Sequence, residues 1–122
     1  MSEGERAASA PRVFYRTIKH VPPTREDFFS GKDQGKPIPK KLHQVRLWEG
    51  ISTWDRLKVA RLRAMANPHQ GQYIAAIEIP ADGRITYERT GTNDGHYTLW
   101  GDPDTLLRQV IAVEPVWVAQ EE

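Results

Sequence analysis

The chain has 122 residues, of which 17 are basic and 16 acidic, and it contains no cysteine. This length supports one domain. The near balance of charges removes a general attraction to nucleic acid, and the lack of cysteine excludes disulfides and thiolate metal ligands. No apolar run approaches the roughly 20 residues of a membrane-spanning helix, and the N-terminus lacks the apolar stretch of a signal peptide, so we expect a cytoplasmic protein.

The first third of the chain predicts a tail, a strand, a short helix and a loop. Residues 1–11 are small and polar and are expected to form a disordered tail. The β-branched and aromatic run 12–18 predicts a strand, and residues 24–31 predict a short helix that Thr24 caps. Residues 31–44, rich in Gly, Pro and Lys, predict an exposed loop. This loop is either an ordinary solvated connection or a lid over a site.

The central segment predicts a strand that runs directly into a helix. Residues 45–52 alternate apolar and polar side chains, as a strand does. Ser52 or Thr53 then caps a helix that extends to about Ala66. The junction Gly50–Asp55 would therefore end at a helix N-terminus, where free N–H groups and the helix dipole favour an anion. An ordinary helix cap is the alternative explanation of the same residues.

The remaining elements complete one α+β domain. Strands are predicted at 72–80, 84–90, 96–100 and 110–118, and a short helix at 103–108. The first of these strands is almost continuously apolar, which favours a central position in the sheet. The elements together predict a single α+β domain over residues 12–119, with roughly five or six strands in a strongly bent or split sheet and two or three short helices.

Arg16 is the candidate for binding chemistry in the first strand. An inward-facing arginine on a strand is costly unless it is paired, because its guanidinium stays protonated. If it does not face water, it either binds an anionic ligand or pairs with Glu78 or Glu88. These two glutamates are also the internal carboxylates available for catalysis, and spacing alone does not choose between them.

Other polar residues have plain structural explanations beside their chemical ones. The histidines lie in separate segments, so their spacing does not predict a metal site. Ser52 lacks the Gly-x-Ser-x-Gly context of a hydrolase nucleophile. The basic face of the central helix fits either nucleic-acid phosphates or plain solvation. That face consists of Arg56, Lys58, Arg61 and Arg63.

The order of the segments resembles a known family. The segment Phe14-Tyr15-Arg16-Thr17 is followed by Gly50-Ile51-Ser52-Thr53-Trp54-Asp55 and then by Gly71-Gln72-Tyr73-Ile74-Ala75-Ala76-Ile77-Glu78-Ile79-Pro80. This order is similar to that of the compact bacterial ADP-ribosyltransferase-like domains of the toxin type. It is more distantly similar to the RNA 2′-phosphotransferases and to RES-type proteins. The resemblance covers about residues 12–80.

The resemblance implies that NAD is the substrate. Arg16 would match the first-strand cation that holds NAD, and Ser52 and Thr53 would match the hydroxyls that shape the nicotinamide pocket. Glu88, or else Glu78, would take the acidic position. The aromatic residue that would stack on the nicotinamide is Tyr15, Trp54 or Tyr97.

The sequence therefore leaves three hypotheses for the function. The first is transfer of ADP-ribose from NAD to a protein or nucleic-acid acceptor, or hydrolysis of NAD, with no metal and no membrane partner. The second is a non-catalytic binding module of the same shape, for example in a toxin–antitoxin or phage-defence locus. The third is nucleic-acid binding through the basic face of the central helix.

Overall fold

The computed structural model describes residues 12–117, which form one sheet of six antiparallel strands flanked by short helices. The strands are β1 (Arg12–Ile18), β2 (Ile51–Trp54), β3 (Tyr73–Ile79), β4 (Thr86–Arg89), β5 (His96–Trp100) and β6 (Val110–Pro115). The helices are α1 (Leu42–Trp48), α2 (Leu57–Ala66) and α3 (Pro103–Arg108), with 3₁₀ turns at Arg25–Phe28 and Pro68–Gln70. The predicted α+β class is confirmed. The predicted tail 1–11 lies outside the described residues.

The sheet is weakly joined at its centre. Its strand order is β4-β5-β2-β1-β3-β6. The long ladder between β1 and β3 runs from Arg12 opposite Ile79 to Ile18 opposite Tyr73. In contrast, β1 and β2 are registered through a single pair, Tyr15 with Trp54, in the described part of the chain. Beyond that pair, towards the C-terminal end of β1, the described residues register no further β1–β2 pair, which leaves a gap in the ladder between the two half-sheets.

Side chains on the two faces of β1 pack into two separate hydrophobic clusters. Phe14 and Ile18 are fully buried in a cluster shared with the first 3₁₀ turn and α3. Tyr15 points to the other face and packs against the cluster that α2 covers. Arg16 has the same parity as Phe14 and Ile18 and therefore projects from the first face.

The segment from residue 42 to residue 56 differs from the one predicted. The helix α1 occupies the end of the predicted loop 31–44 and the start of the predicted strand 45–52. Strand β2 follows it, and α2 begins only at Leu57. The predicted order of a strand followed by a helix is present, but its bounds are shifted: Ser52 and Thr53 lie within β2, and Arg56 is the N-cap of α2. The prediction that Ser52 or Thr53 caps the helix is therefore wrong, and the anion site expected from that cap does not form at these two residues.

Several other predicted elements are confirmed with small changes at their ends. Thr24 is the N-cap of the first 3₁₀ turn, in a capping box with Asp27. The helix α2 ends at Ala66, as predicted, and the predicted strands 84–90 and 96–100 correspond to β4 and β5, which pair with each other. Across residues 12–117, none of the helices combines the length and apolar character needed to cross a membrane.

Candidate functional site

Arg16 lies where β1 and β2 stop pairing. Its Nε donates a hydrogen bond to the main-chain oxygen of Asp27 at 2.8 Å, and its Nη1 donates to the main-chain oxygen of Ser52 at 3.0 Å. Burial lowers the pKa of Arg16 to about 10, and the negative charge of Asp27 acts in the opposite direction. The guanidinium therefore remains charged at neutral pH.

The charge of Arg16 is held in position but is not neutralised by an ion pair. In the part of the chain that the structure describes, neither Glu78 nor Glu88 pairs with it, and its two hydrogen bonds both go to main-chain carbonyls. A guanidinium has five N–H donors, and two are used here, which leaves three. A fixed arginine with spare donors is suited to a phosphate or carboxylate.

Two adjoining cavities share Arg16 as a wall, and together we call them the cleft. Both are lined by Arg16, Thr17, Phe29, Gln34 and Gln70. The His20 compartment has a volume of about 280 Å³, and its further lining residues are Ile18, Lys19, His20, Glu26 and Asp27. The Ser52 compartment has a volume of about 360 Å³, and its further lining residues are Ser30, Gly31, Lys36, Gly50, Ile51, Ser52 and Trp54.

The two compartments differ in charge. The charged residues that line the Ser52 compartment are Arg16 and Lys36, and no carboxylate is present among its described lining residues. The His20 compartment contains both carboxylates of the cleft, Glu26 and Asp27. The cleft is therefore cationic on one side and of mixed charge on the other. An anionic group would be favoured in the Ser52 compartment.

A buried carboxylate organises the His20 compartment. The side chain of Asp27 is 2% exposed. Its Oδ1 accepts hydrogen bonds from the main-chain N–H of Lys19 at 3.0 Å and from His20 Nδ1 at 2.9 Å. Its Oδ2 accepts from the main-chain N–H of Thr24 at 2.9 Å. Burial alone would raise the pKa of Asp27, but these hydrogen bonds and the charge of His20 hold the pKa below the ordinary value.

Ser52 and Thr53 are adjacent in β2 but face opposite sides of the sheet. Ser52 is exposed and lines the cleft. The side chain of Thr53 is fully buried, and its Oγ1 donates to the main-chain oxygen of Tyr97 at 3.0 Å. The Thr53 side chain therefore links β2 to β5 and does not line the cleft.

Among the three aromatic candidates, Trp54 lines the cleft. Its ring lies with its edge to His96 at a centroid distance of 4.9 Å. Tyr15 packs against the same α2-covered cluster as Trp54, but it lines a different cavity. Tyr97 belongs to an aromatic group with Phe14, at a centroid distance of 4.9 Å. Neither tyrosine lines the cleft.

The two candidate glutamates also lie outside the cleft. Glu88 is exposed on β4 and pairs with Arg46 of α1 at 3.4 Å. It is opposite Thr98, which is opposite Ser52, so Glu88 lies two strands away from Ser52, at about 10 Å. Glu78 is opposite Val13, near the end of β1 remote from the gap. Their predicted catalytic roles stay predictions.

The basic face of α2 is largely engaged with other groups. Arg61 pairs with Glu114 and donates to the main-chain oxygen of Val116. Arg56 pairs with Asp94 at 3.0 Å. Arg63 lies over the ring of Trp54, 5.1 Å from its centroid. The ion pairs of Arg61 and Arg56 reduce the charge that the helix offers to nucleic acid, whereas Arg63 keeps its charge over the ring.

Four of the residues that give the cleft its chemistry are not among those predicted from the sequence. They are His20, Glu26, Asp27 and Lys36. The sequence does contain a signal for two of them, because a histidine and an aspartate flank the Pro22-Pro23 turn that follows the Arg16 strand. Such a turn reverses the chain and allows the two side chains to meet.

Within residues 12–117, no group of three or more His, Asp or Glu side chains is arranged to hold a metal ion. Comparisons of the chain with models of known protein families, with curated proteins and with solved structures find no match.

Proposed function

We propose that the cleft binds NAD and that the chain acts at the bond between nicotinamide and ribose, transferring ADP-ribose to an acceptor or to water. The observation that carries this proposal is the meeting of Arg16 and Ser52. They are 36 residues apart in the chain, and a 3.0 Å hydrogen bond joins them at a compartment without a carboxylate.

The charge of the cleft supports a dinucleotide. The pyrophosphate of NAD needs cationic donors, and Arg16 and Lys36 supply them on the Ser52 side. Trp54 also lines this compartment; Arg63 covers one face of its indole, so an aromatic base would stack on the other face. The two compartments, at about 280 and 360 Å³, give one space on each side of Arg16. Each nucleotide half of NAD would occupy one of them.

The test of binding is thermal unfolding in the presence of NAD. A ligand at about 100 times its dissociation constant stabilises the folded state by roughly 2.7 kcal/mol, so the melting temperature of the wild-type protein rises with NAD concentration. Arg16→Ala abolishes this rise because it removes the central donor. Arg12→Ala is the matched control, since it removes a guanidinium from the same face of β1 outside the cleft and leaves the rise intact.

Loss of the hydrogen bonds of Arg16 also weakens the fold, so a second variant separates binding from stability. Lys36 is exposed and lines the Ser52 compartment. Lys36→Glu places a negative charge beside the pyrophosphate and weakens NAD binding by tenfold or more. Lys40→Glu, on the same loop but outside the lining, leaves affinity unchanged. A wild-type protein whose melting temperature does not respond to millimolar NAD contradicts the proposal.

A non-catalytic binding module is the second candidate, and one observation favours it. Glu78 and Glu88, the two carboxylates expected from the resemblance, do not line the cleft. Incubation with NAD and chromatographic detection of nicotinamide distinguishes the two. The enzyme releases nicotinamide in proportion to protein and time. A non-catalytic module is stabilised by NAD but releases no nicotinamide.

A further inference from the structure

His20 and Asp27 form a hydrogen-bonded pair at the edge of the cleft. Asp27 is almost completely buried and holds His20 Nδ1 at 2.9 Å. The imidazole itself is 47% exposed and lines the same compartment as Arg16. In the described chain, the hydrogen bonds of this ring go through Nδ1, to Asp27 and to Thr24 Oγ1 at 3.3 Å. The second ring nitrogen, Nε2, therefore has no hydrogen-bond partner among residues 12–117.

The surroundings of Asp27 fix which ring nitrogen carries the proton. Two main-chain N–H groups, from Lys19 and Thr24, donate to its oxygens and keep it ionised. An ionised carboxylate accepts a hydrogen bond but cannot donate one. His20 Nδ1 must therefore be the donor, and neutral His20 then has its lone pair on Nε2. A buried aspartate that orients a histidine in this way is the arrangement of a general base.

Asp27 also connects this histidine to the anion-binding arginine. Its carboxylate holds His20 while its main-chain oxygen accepts the hydrogen bond from Arg16 Nε at 2.8 Å. One buried residue thus fixes both the cation and the imidazole. The capping of the 3₁₀ turn does not require His20, because Thr24 and Asp27 complete the capping box between them.

We infer that His20 is the general base of the cleft, with Nε2 taking the proton from the acceptor that attacks the ribose of NAD; this rests on the proposed function. The O–H bond of the acceptor breaks and its proton passes to His20 Nε2. The acceptor oxygen forms a bond to C1′ of the ribose. The C1′–N bond breaks, and its electron pair goes to the nitrogen of nicotinamide. With water as acceptor, the products are ADP-ribose, nicotinamide and one proton that His20 returns to solvent.

The test compares His20→Gln with His69→Gln. His69 lies in the second 3₁₀ turn and does not line the cleft, so it serves as the control. General-base catalysis contributes roughly 100-fold or more, so His20→Gln lowers the rate of nicotinamide release by about that factor and leaves the dissociation constant of NAD within about twofold. His69→Gln leaves both unchanged. In His20→Ala, added imidazole restores part of the rate, a rescue that a purely structural role would not give.

The outcomes separate this inference from the proposed function. Equal rates for the wild type and His20→Gln overturn the role of His20 and leave NAD cleavage in place. NAD binding without nicotinamide release overturns the role of His20 and leaves binding in place. Absence of NAD binding overturns the proposed function itself, and the inference with it.

A second measurement does not depend on activity. Nitrogen-15 NMR of the imidazole distinguishes the two neutral tautomers of His20. The geometry predicts the Nδ1–H tautomer. Observation of the Nε2–H tautomer overturns the inference, because Nε2 would then have no lone pair with which to accept a proton.

Discussion

Asp27 is hydrogen-bonded to both Arg16 and His20, on the wall of the cleft. Through its carboxylate it binds two main-chain N–H groups and His20, and through its carbonyl it binds Arg16. A carboxylate this deeply buried is stable because its hydrogen bonds compensate for the loss of water. The same bonds make its stability contribution dependent on pH.

The first prediction concerns this pH dependence. The pKa of Asp27 is lowered in the folded state, so its stabilisation is present above the unfolded pKa of 3.8 and is lost as the pH falls through the folded pKa. Asp27→Asn retains one acceptor oxygen where the wild type has two, and costs about 2 kcal/mol at pH 5. The difference in unfolding free energy between wild type and variant, measured in urea, shrinks at more acidic pH.

A matched control for this experiment is Asp94→Asn, since the side chain of Asp94 is 80% exposed. Its stability difference from the wild type is small at every pH. A difference between wild type and Asp27→Asn that stays constant from pH 5 down to pH 2 contradicts the hydrogen-bonded, ionised state of Asp27.

At the level of elements, the close approach of β3 to the end of β1 depends on Gly71. This residue precedes β3 and has a φ of 145°, a backbone region that other residues rarely adopt. A Cβ at this position would overlap the main-chain carbonyl oxygen of Ile18, the last residue of β1. The chain can therefore enter β3 beside Ile18 only because a glycine is there. Gln70, immediately before it, lines the cleft.

The second prediction follows from this contact. Gly71→Ala lowers the free energy of unfolding by about 3 kcal/mol, because backbone strain and a main-chain overlap act together. Gly83→Ala is the control. Gly83 also has a positive φ, 82°, but no atom lies within 4 Å of the added Cβ, so the cost is about 1 kcal/mol. Equal losses for the two variants in urea unfolding would contradict the overlap.

Elements with strong local signals could be predicted from the sequence, and the segment around α1 could not. Strand β1 has a β-branched and aromatic run, and α2 has a proline beyond its end. In α1, however, Val45 and Trp48 are three residues apart, so a short apolar pattern suits a helical turn as well as a strand. Tertiary contacts decide between them. Trp100 Nε1 donates to the main-chain oxygen of Arg46 at 2.8 Å, and the guanidinium of Arg46 lies over the ring of Trp100.

Only part of the candidate site could be predicted from the sequence. Arg16 is recognisable because a buried guanidinium needs partners, whatever the fold. Its meeting with Ser52 depends on strand order, which no local pattern specifies. The pair of His20 with Asp27 depends on the turn between them, and the sequence alone gave no reason to prefer that histidine to the other three.

For the whole molecule, the central feature is the weak seam between two half-sheets. One half contains β4, β5 and β2, and the other contains β1, β3 and β6. Beyond the pair of Tyr15 with Trp54, the guanidinium of Arg16 bridges the halves by its bond to the main chain of Ser52. The cleft lies along this seam. A ligand bound there would contact both halves of the sheet at once.

The indole N–H signals of the tryptophans provide the most direct measurement of where NAD binds. Trp54 lines the cleft, whereas Trp100 lines a separate cavity beside Glu88, and Trp117 is exposed elsewhere. In nitrogen-15 NMR spectra recorded during a titration with NAD, binding in the cleft shifts the Trp54 signal until it saturates and leaves the signals of Trp100 and Trp117 in place. A shift of Trp100 without Trp54, or no shift at millimolar NAD, would contradict it.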